Sequence, residues 1–106
     1  MNELQHRCRE AADHCAAACV QCASACLEEK RIDAMEKCIR LDADCAAMCR
    51  LLSDALARDS EFATDYAELC ARLCGRCADE CSRHPAAHCK TCSEACRACA
   101  EACRAM

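Results

Sequence analysis

The stretch Cys92-Ser93-Glu94-Ala95-Cys96-Arg97-Ala98-Cys99-Ala100-Glu101-Ala102-Cys103 decides the fold. Its cysteines are spaced by four, three and four residues, the step that returns a side chain to one stripe of an α-helix. The same C-x3-C-x2-C-x3-C step occurs at Cys15, Cys19, Cys22, Cys26 and again at Cys70, Cys74, Cys77, Cys81. Cys8 and Cys89 extend the first and last series. A further segment keeps the step as Cys45, Cys49, Leu52, Leu56, preceded by Cys38. Leucine standing in for cysteine identifies the stripe as the inward a/d seam of a helix bundle. All 17 cysteines fall on that seam.

Four helices follow, over about residues 2–28, 33–57, 60–82 and 85–105. Asn2 with Gln5, and Asp33 with Glu36, have capping-box spacing. The third helix opens near Asp59 or Ser60, and Pro85 suits the first helical position of the fourth. The breaks between them are short, and short connections make antiparallel neighbours. The expectation is all-α: one domain over residues 1–106, an up-down-up-down four-helix bundle with a cysteine-lined core.

Composition agrees with a regular chain. One Val, two Ile, eight Leu and one Phe would ordinarily suggest disorder. Yet Gly and Pro occur once each, which excludes both disorder and a loop-rich disulfide scaffold. A formal charge of -4 argues against a nucleic-acid binder. No apolar run is long enough to span a membrane. The N-terminal residues Met1 to Arg9 carry neither an apolar signal core nor a twin arginine, so the expected location is cytoplasmic.

In a reducing compartment, such cysteines bind metal more often than they cross-link. Cysteine is a small hydrophobe, but a Cys/Ala core is a poor way to stabilise a small bundle. Residues at i and i+4 have Cβ atoms about 5–6 Å apart, wider than the roughly 3.8 Å of a disulfide. The same spacing lets two thiolates grip one ion between them. Soft thiolates select Cu(I), zinc or iron–sulfur clusters. Iron–sulfur clusters want converging loop ligands rather than helical rows. Cys19-Val20-Gln21-Cys22 has the redox C-x-x-C form but no βαβ context. Zinc held by four thiolates is formally -2, so four such sites would place about -8 in a narrow bundle, at a high burial cost. Bridged Cu(I) approaches one ion per sulfur and a neutral core. Multiple Cu(I), on the order of ten to twenty ions, is the expected cargo. Zinc or general heavy-metal sequestration of metallothionein character stays open, as does a structural, oligomerising bundle. Saturated ions leave no position for substrate, and no nucleotide loop or metalloprotease motif is present, so no enzyme is expected.

The antiparallel order sorts the remaining residues by end. Leu4, Leu52, Leu56, Phe62, Ala63, Tyr66 and Met106 gather at one end as an apolar plug. Cys26, Met35, Cys38, Cys81, His84, His88 and Cys89 gather at the other, a mouth for incoming metal. There His84 and His88, and Met35 beside Cys38, are candidate relay ligands. Met48 sits at the seam edge, with core filler the simpler role. His6 and His14 fall outward. Asp42 occupies an a position between Cys38 and Cys45, where hydrogen bonding to thiols or a structural polar link are its two open roles. Glu28-Glu29-Lys30-Arg31 reads as solvated surface.

Lys37-Cys38-Ile39-Arg40-Leu41-Asp42-Ala43-Asp44-Cys45-Ala46-Ala47-Met48-Cys49 resembles the second helix of the bacterial cytosolic copper storage proteins. Cys77-Ala78-Asp79-Glu80-Cys81-Ser82-Arg83-His84 and His88-Cys89-Lys90-Thr91-Cys92-Ser93-Glu94-Ala95-Cys96-Arg97-Ala98-Cys99 resemble their third-to-fourth helix junction. The similarity runs over essentially the whole chain. It implies Cu(I) storage in the cytosol, histidine-assisted uptake at one mouth through His84 and His88, and a homotetramer of bundles. A copper chaperone as donor and copper enzymes as recipients are the partner classes such a store would serve, with no nucleic acid and no membrane.

Overall fold

A computed structural model describes residues 1–106. It contains α1 (Glu3–Cys26), a 3-10 turn (Ile32–Met35), α2 (Glu36–Ala57), α3 (Ala63–Ser82) and α4 (Ala87–Ala105), with no strand. Each helix packs on its sequence neighbour, and α4 closes the ring against α1. The result is an antiparallel up-down four-helix bundle measuring 44 × 17 × 17 Å. At about 1.5 Å per residue, the 24 residues of α1 span most of the long axis.

Helix ends show where local chemistry met expectation and where it did not. The Asn2 capping box forms: Gln5 N–H donates to Asn2 Oδ1 at 2.8 Å and Asn2 N–H to Gln5 Oε1 at 2.9 Å. The α1 helix stops at Cys26, two residues short of the expected end, and passes through turns in which the Glu28 and Glu29 N–H groups donate to the Ala25 and Cys26 carbonyls. The Asp33 capping box does not form. Residues 32–35 wind more tightly as a 3-10 turn, Met35 becomes a buried residue of that turn, and α2 starts at Glu36 with no side-chain cap. Asp33 pairs instead with Arg31 at 3.4 Å.

The third helix begins at Ala63, not near Asp59 or Ser60, because those residues are used to finish α2. Asp59 adopts φ 55°, and the Ser60 and Asp59 N–H groups donate to the Ala55 and Leu56 carbonyls at 2.9 and 3.3 Å. This is a Schellman closure with aspartate in the position usually held by glycine. Pro85 likewise lies ahead of α4 rather than in its first turn. Ala86 is extended with ψ 141°, and its carbonyl accepts from the Cys89 and Lys90 N–H groups, so Ala87 is the first helical residue.

The core is sulfur surrounded by small side chains. Buried alanines, among them Ala12, Ala16, Ala46, Ala67, Ala71, Ala78 and Ala100, fill the space between the cysteine rows. Leu52, Leu56, Met35 and Met48 are the large apolar side chains buried within it. The apolar plug is smaller than expected. Leu52, Leu56 and Ala63 are buried and Tyr66 is half-buried, but Leu4, Phe62 and Met106 are exposed. Phe62 precedes the first turn of α3 and packs outside against Tyr66, with ring centroids 6.4 Å apart and planes tilted by 44°.

The left-handed residue provides a test. In urea unfolding of the reduced, metal-free chain, Asp59→Val should lose about 1–2 kcal/mol, because a β-branched side chain resists that conformation. Asp59→Gly should be at least as stable as the parent. Equal stability of the Val and Gly variants would show that the closure contributes nothing.

Candidate metal centre

Each helix delivers one row of thiols to the axis. Five come from α1 (Cys8, Cys15, Cys19, Cys22, Cys26), three from α2 (Cys38, Cys45, Cys49), four from α3 (Cys70, Cys74, Cys77, Cys81) and five from α4 (Cys89, Cys92, Cys96, Cys99, Cys103). All are free and buried. Along one helix, Cys15 and Cys19 sulfurs lie 3.9 Å apart, as do Cys22 and Cys26, while Cys70 and Cys74 lie 3.8 Å apart. Across helices, Cys38 faces Cys81 and Cys45 faces Cys74 at 3.3 Å, and Cys8 meets Cys103 at 3.7 Å. The touching sulfurs form a cluster of Cys22, Cys26, Cys38, Cys81 and Cys89 at one end. A longer run passes through Cys92, Cys19, Cys96, Cys15, Cys45, Cys74, Cys49, Cys70 and Cys99 in the middle, and the Cys8–Cys103 pair lies at the other end. Asp42 joins the first two through Cys81 and Cys92 and holds Cys77.

These distances match what thiolate-bound ions need. With metal–sulfur bonds of about 2.3 Å, the value for zinc thiolates, sulfurs around a three-coordinate ion sit roughly 4.0 Å apart and around a tetrahedral ion about 3.8 Å apart. Cys15, Cys45 and Cys96 form a triangle with edges of 3.8, 3.7 and 4.0 Å. Four-sulfur groups whose atoms all lie within 4.8 Å of one another include Cys15, Cys19, Cys45, Cys96; Cys15, Cys49, Cys74, Cys99; Cys19, Cys77, Cys92, Cys96; and Cys22, Cys26, Cys38, Cys89. Cys15, Cys19 and Cys96 each belong to two groups, so the core is a chain of sites sharing sulfurs.

The thiols cannot all ionise alone. Hydrogen bonding from neighbouring thiols pulls the Cys15 and Cys45 thiols down, and the same network pushes Cys19, Cys74 and Cys96 up. One thiolate held by its neighbours leaves those neighbours protonated. A bound cation removes that restriction, because each thiolate then has a positive partner.

Asp42 is wholly buried among the sulfurs. The Cys77 and Cys92 thiols donate to its Oδ1 at 3.2 Å and Cys81 donates at 3.7 Å, while Cys38 donates to Oδ2 at 3.8 Å. Hydrogen bonding to thiols is thus its role in the metal-free core. Its carboxylate oxygens also close a four-membered group with Cys22, Cys81 and Cys92. Burial is the largest cause that raises its carboxyl to about 8.

At the mouth the two histidines differ. His88 Nδ1 lies 3.5 Å from Cys89 Sγ, 3.6 Å from Cys22 Sγ and 3.9 Å from Cys26 Sγ. Its Nε2 donates to Glu29 Oε1 at 2.9 Å. His84 Nε2 instead bonds Glu80 Oε2 at 2.9 Å, four residues back. Met35 is buried and shares a shallow surface hollow with Glu29, His84, Pro85 and Ala86. Met48 is buried as core filler, and His6 and His14 are exposed. Glu29 departs from its reading as solvated surface, and Glu80 is a further carboxylate the spacing could have shown, since it stands one helical turn before His84. No such local signal linked Glu29 to His88.

The whole chain, residues 1–106, matches the family described as copper storage protein (Csp). The chain belongs to the copper storage protein family. A Bacillus subtilis (strain 168) relative, the uncharacterized cysteine-rich protein YhjQ, is 42% identical over 95 residues, covering 90% of this chain and 88% of that protein. The Cu(I)-bound copper storage protein BsCsp3 superposes with a TM-score of 0.94 at 41% identity, covering 98% of both chains. A cytosolic copper storage protein from Streptomyces lividans carrying five coppers gives a TM-score of 0.94 at 41% identity, over 97% of this chain and 91% of that one.

Within this family member, Asp42 makes folding depend on pH. Its carboxyl titrates at about 8 in the folded core against an ordinary 3.8, so the folded state holds a proton that the unfolded chain has released. The Asp42 contribution to stability of the metal-free protein therefore falls as pH rises between those values, by up to about 1.4 kcal/mol per pH unit, and that contribution levels off above. Chemical unfolding of parent and Asp42→Asn across that window should show this slope in the parent and its loss in the variant. Parallel curves would refute the assignment.

Proposed function

We propose that this chain is a cytosolic store for Cu(I), which it holds as many ions bridged by core thiolates. The observation carrying the proposal is the axial core of 17 buried thiols, grouped closely enough to share ions, with no lysine or arginine among them. Distances alone suit zinc and copper equally, and charge separates them. Each Zn(II) among four thiolates leaves an excess of negative charge that this core has no cation to offset. Each Cu(I) neutralises one thiolate, and shared sulfurs let the ion count approach the thiol count. The relatives named as copper storage proteins, one Cu(I)-bound and one cytosolic, support the same cargo and compartment.

The proposed ligands are the cysteines of the four rows, with Asp42 as an oxygen donor or proton carrier in the middle of the core. His88, His84 and Met35 form the receiving end, where the soft and borderline donors concentrate. Storage rather than catalysis follows from ions enclosed by sulfur, with no position left for substrate. No helix is long and apolar enough to cross a membrane. Assembly into a tetramer belongs to the same proposal. Leu27, Ile32 and Ile39 line a groove beside Asp33, Glu36 and Arg40 that a second bundle could cover. A copper chaperone and copper enzymes are the proposed donor and recipients.

Anaerobic titration of the reduced chain tests the cargo. Roughly ten or more Cu(I) per chain, with helical circular dichroism retained, is the expected result. Saturation near about four Zn(II) that copper cannot displace would establish the zinc reading instead. Replacing Cys22 and Cys77 by Ala should lower Cu(I) capacity by about two ions or more while the bundle stays folded, because each sulfur serves more than one ion. Unchanged capacity in that folded variant would place the copper elsewhere.

A further inference from the structure

We propose that Glu29 is a positioning residue for copper uptake, resting on the storage reading above: its carboxylate sets the tautomer and direction of His88, so that Nδ1 presents its lone pair to the outermost thiols. A carboxylate only accepts hydrogen bonds, so the 2.9 Å contact places the proton of a neutral imidazole on Nε2. The other ring nitrogen is then the free donor. It points inward, 3.5 to 3.9 Å from the sulfurs of Cys89, Cys22 and Cys26. Those three and Cys38 make up the four-sulfur group nearest the mouth.

Exposure gives this arrangement its direction. The four sulfurs belong to residues with no solvent exposure, whereas the His88 side chain is 25% exposed. An arriving ion meets the imidazole before the thiols. Because Nε2 is occupied by Glu29, the ion can bind only at Nδ1, already within one ligand exchange of three sulfurs. The negative carboxylate behind the ring also makes it a better donor, as carboxylates do behind metal-bound histidines. His84 lacks this geometry, since its Nε2 bonds a carboxylate of its own helix segment and neither ring nitrogen bonds a thiol.

Glu29 is held in place by the chain around it. It lies in the turn that closes α1, its N–H donates to the Cys26 carbonyl at 3.2 Å, and its side chain reaches across to the start of α4. Without it, the ring is free to turn over or to carry its proton on Nδ1, which hides the lone pair from the ion.

Two measurements on the full reduced chain test this. In metal-free protein held above pH 7, nitrogen NMR of the His88 ring should show Nε2 protonated and Nδ1 bare. Glu29→Ala should give a mixture of tautomers, and Glu29→Gln, whose amide carbonyl accepts the same hydrogen bond, should resemble the parent. In anaerobic stopped-flow loading with chelator-delivered Cu(I), Glu29→Ala and His88→Ala should each slow the first phase about tenfold. The double variant should be no slower than His88→Ala, and capacity should be unchanged throughout. The proposal is overturned if Glu29→Ala loads at the parent rate, if its effect persists in full without His88, if Glu29→Gln is as slow as Glu29→Ala, or if the tautomer does not respond. A parent chain that takes up no copper but shows the tautomer response would remove the storage reading and leave the positioning of His88 by Glu29 standing.

Discussion

Everything in this bundle depends on holding thiols close enough to share an ion and too far apart to bond one another. A disulfide needs sulfurs about 2.05 Å apart, whereas those here rest at 3.3 to 4.0 Å. Helix geometry maintains the gap. Neighbours in one row are fixed by a rigid backbone, and neighbours in facing rows are fixed by the packing of alanines between the helices. A row of loops could not keep so many reactive groups at contact distance without letting some collapse into pairs. The scarcity of glycine and proline is the sequence-level counterpart of that demand.

The same arrangement makes the metal-free core electrostatically unfinished. Seventeen thiols with a buried carboxyl among them can shed few protons while no cation is present. Asp42 shows the constraint most clearly: four thiols point hydrogens at it, yet burial still drives its carboxyl up to about 8. Each incoming Cu(I) takes the place of a thiol proton, so loading and proton release are one event. Once Cys38, Cys77, Cys81 and Cys92 lose their hydrogens, Asp42 loses its donors. It must then keep a proton or ligate metal, which makes it the point in the core where oxygen and sulfur chemistry meet.

Much of this was legible in the chain itself. The four-three-four cysteine step, with Leu52 and Leu56 in the same register, carries helix, stripe and core together, and the short breaks carry the antiparallel order. Helix ends were less legible, because the residues that could start one helix were needed to end another. Asp59 has the form of a cap for α3 but is used at φ 55° to close α2. Phe62 and Leu4 are apolar residues near the right end, yet both lie outside the ring of helices. The Glu29–His88 pair was beyond reach for a different reason. It joins residues 59 apart through the shape of two connections, and no local spacing encodes that meeting.

The two ends of the tube are chemically unequal, and that inequality bears on how a long row of sites can be filled. At one end an imidazole covers a four-sulfur group, and at the other Leu52 and Leu56 narrow the core. On the proposed route, an ion received by His88 faces Cys22, whose sulfur also touches those of Cys38 and Cys89. Further in, Cys92 connects Asp42 to Cys19 and Cys96, and Cys96 connects to Cys15 and Cys45. Steps inward offer a new sulfur before the old one must be released, except between Cys81 and Cys92, where the Asp42 carboxylate is the link. Transfer by exchange of one thiolate at a time keeps the ion coordinated and its charge compensated throughout, so the barrier to movement is far smaller than the cost of a bare ion in a buried core. Sharing of sulfurs between sites, which sets the capacity, is thus also what makes the innermost sites reachable.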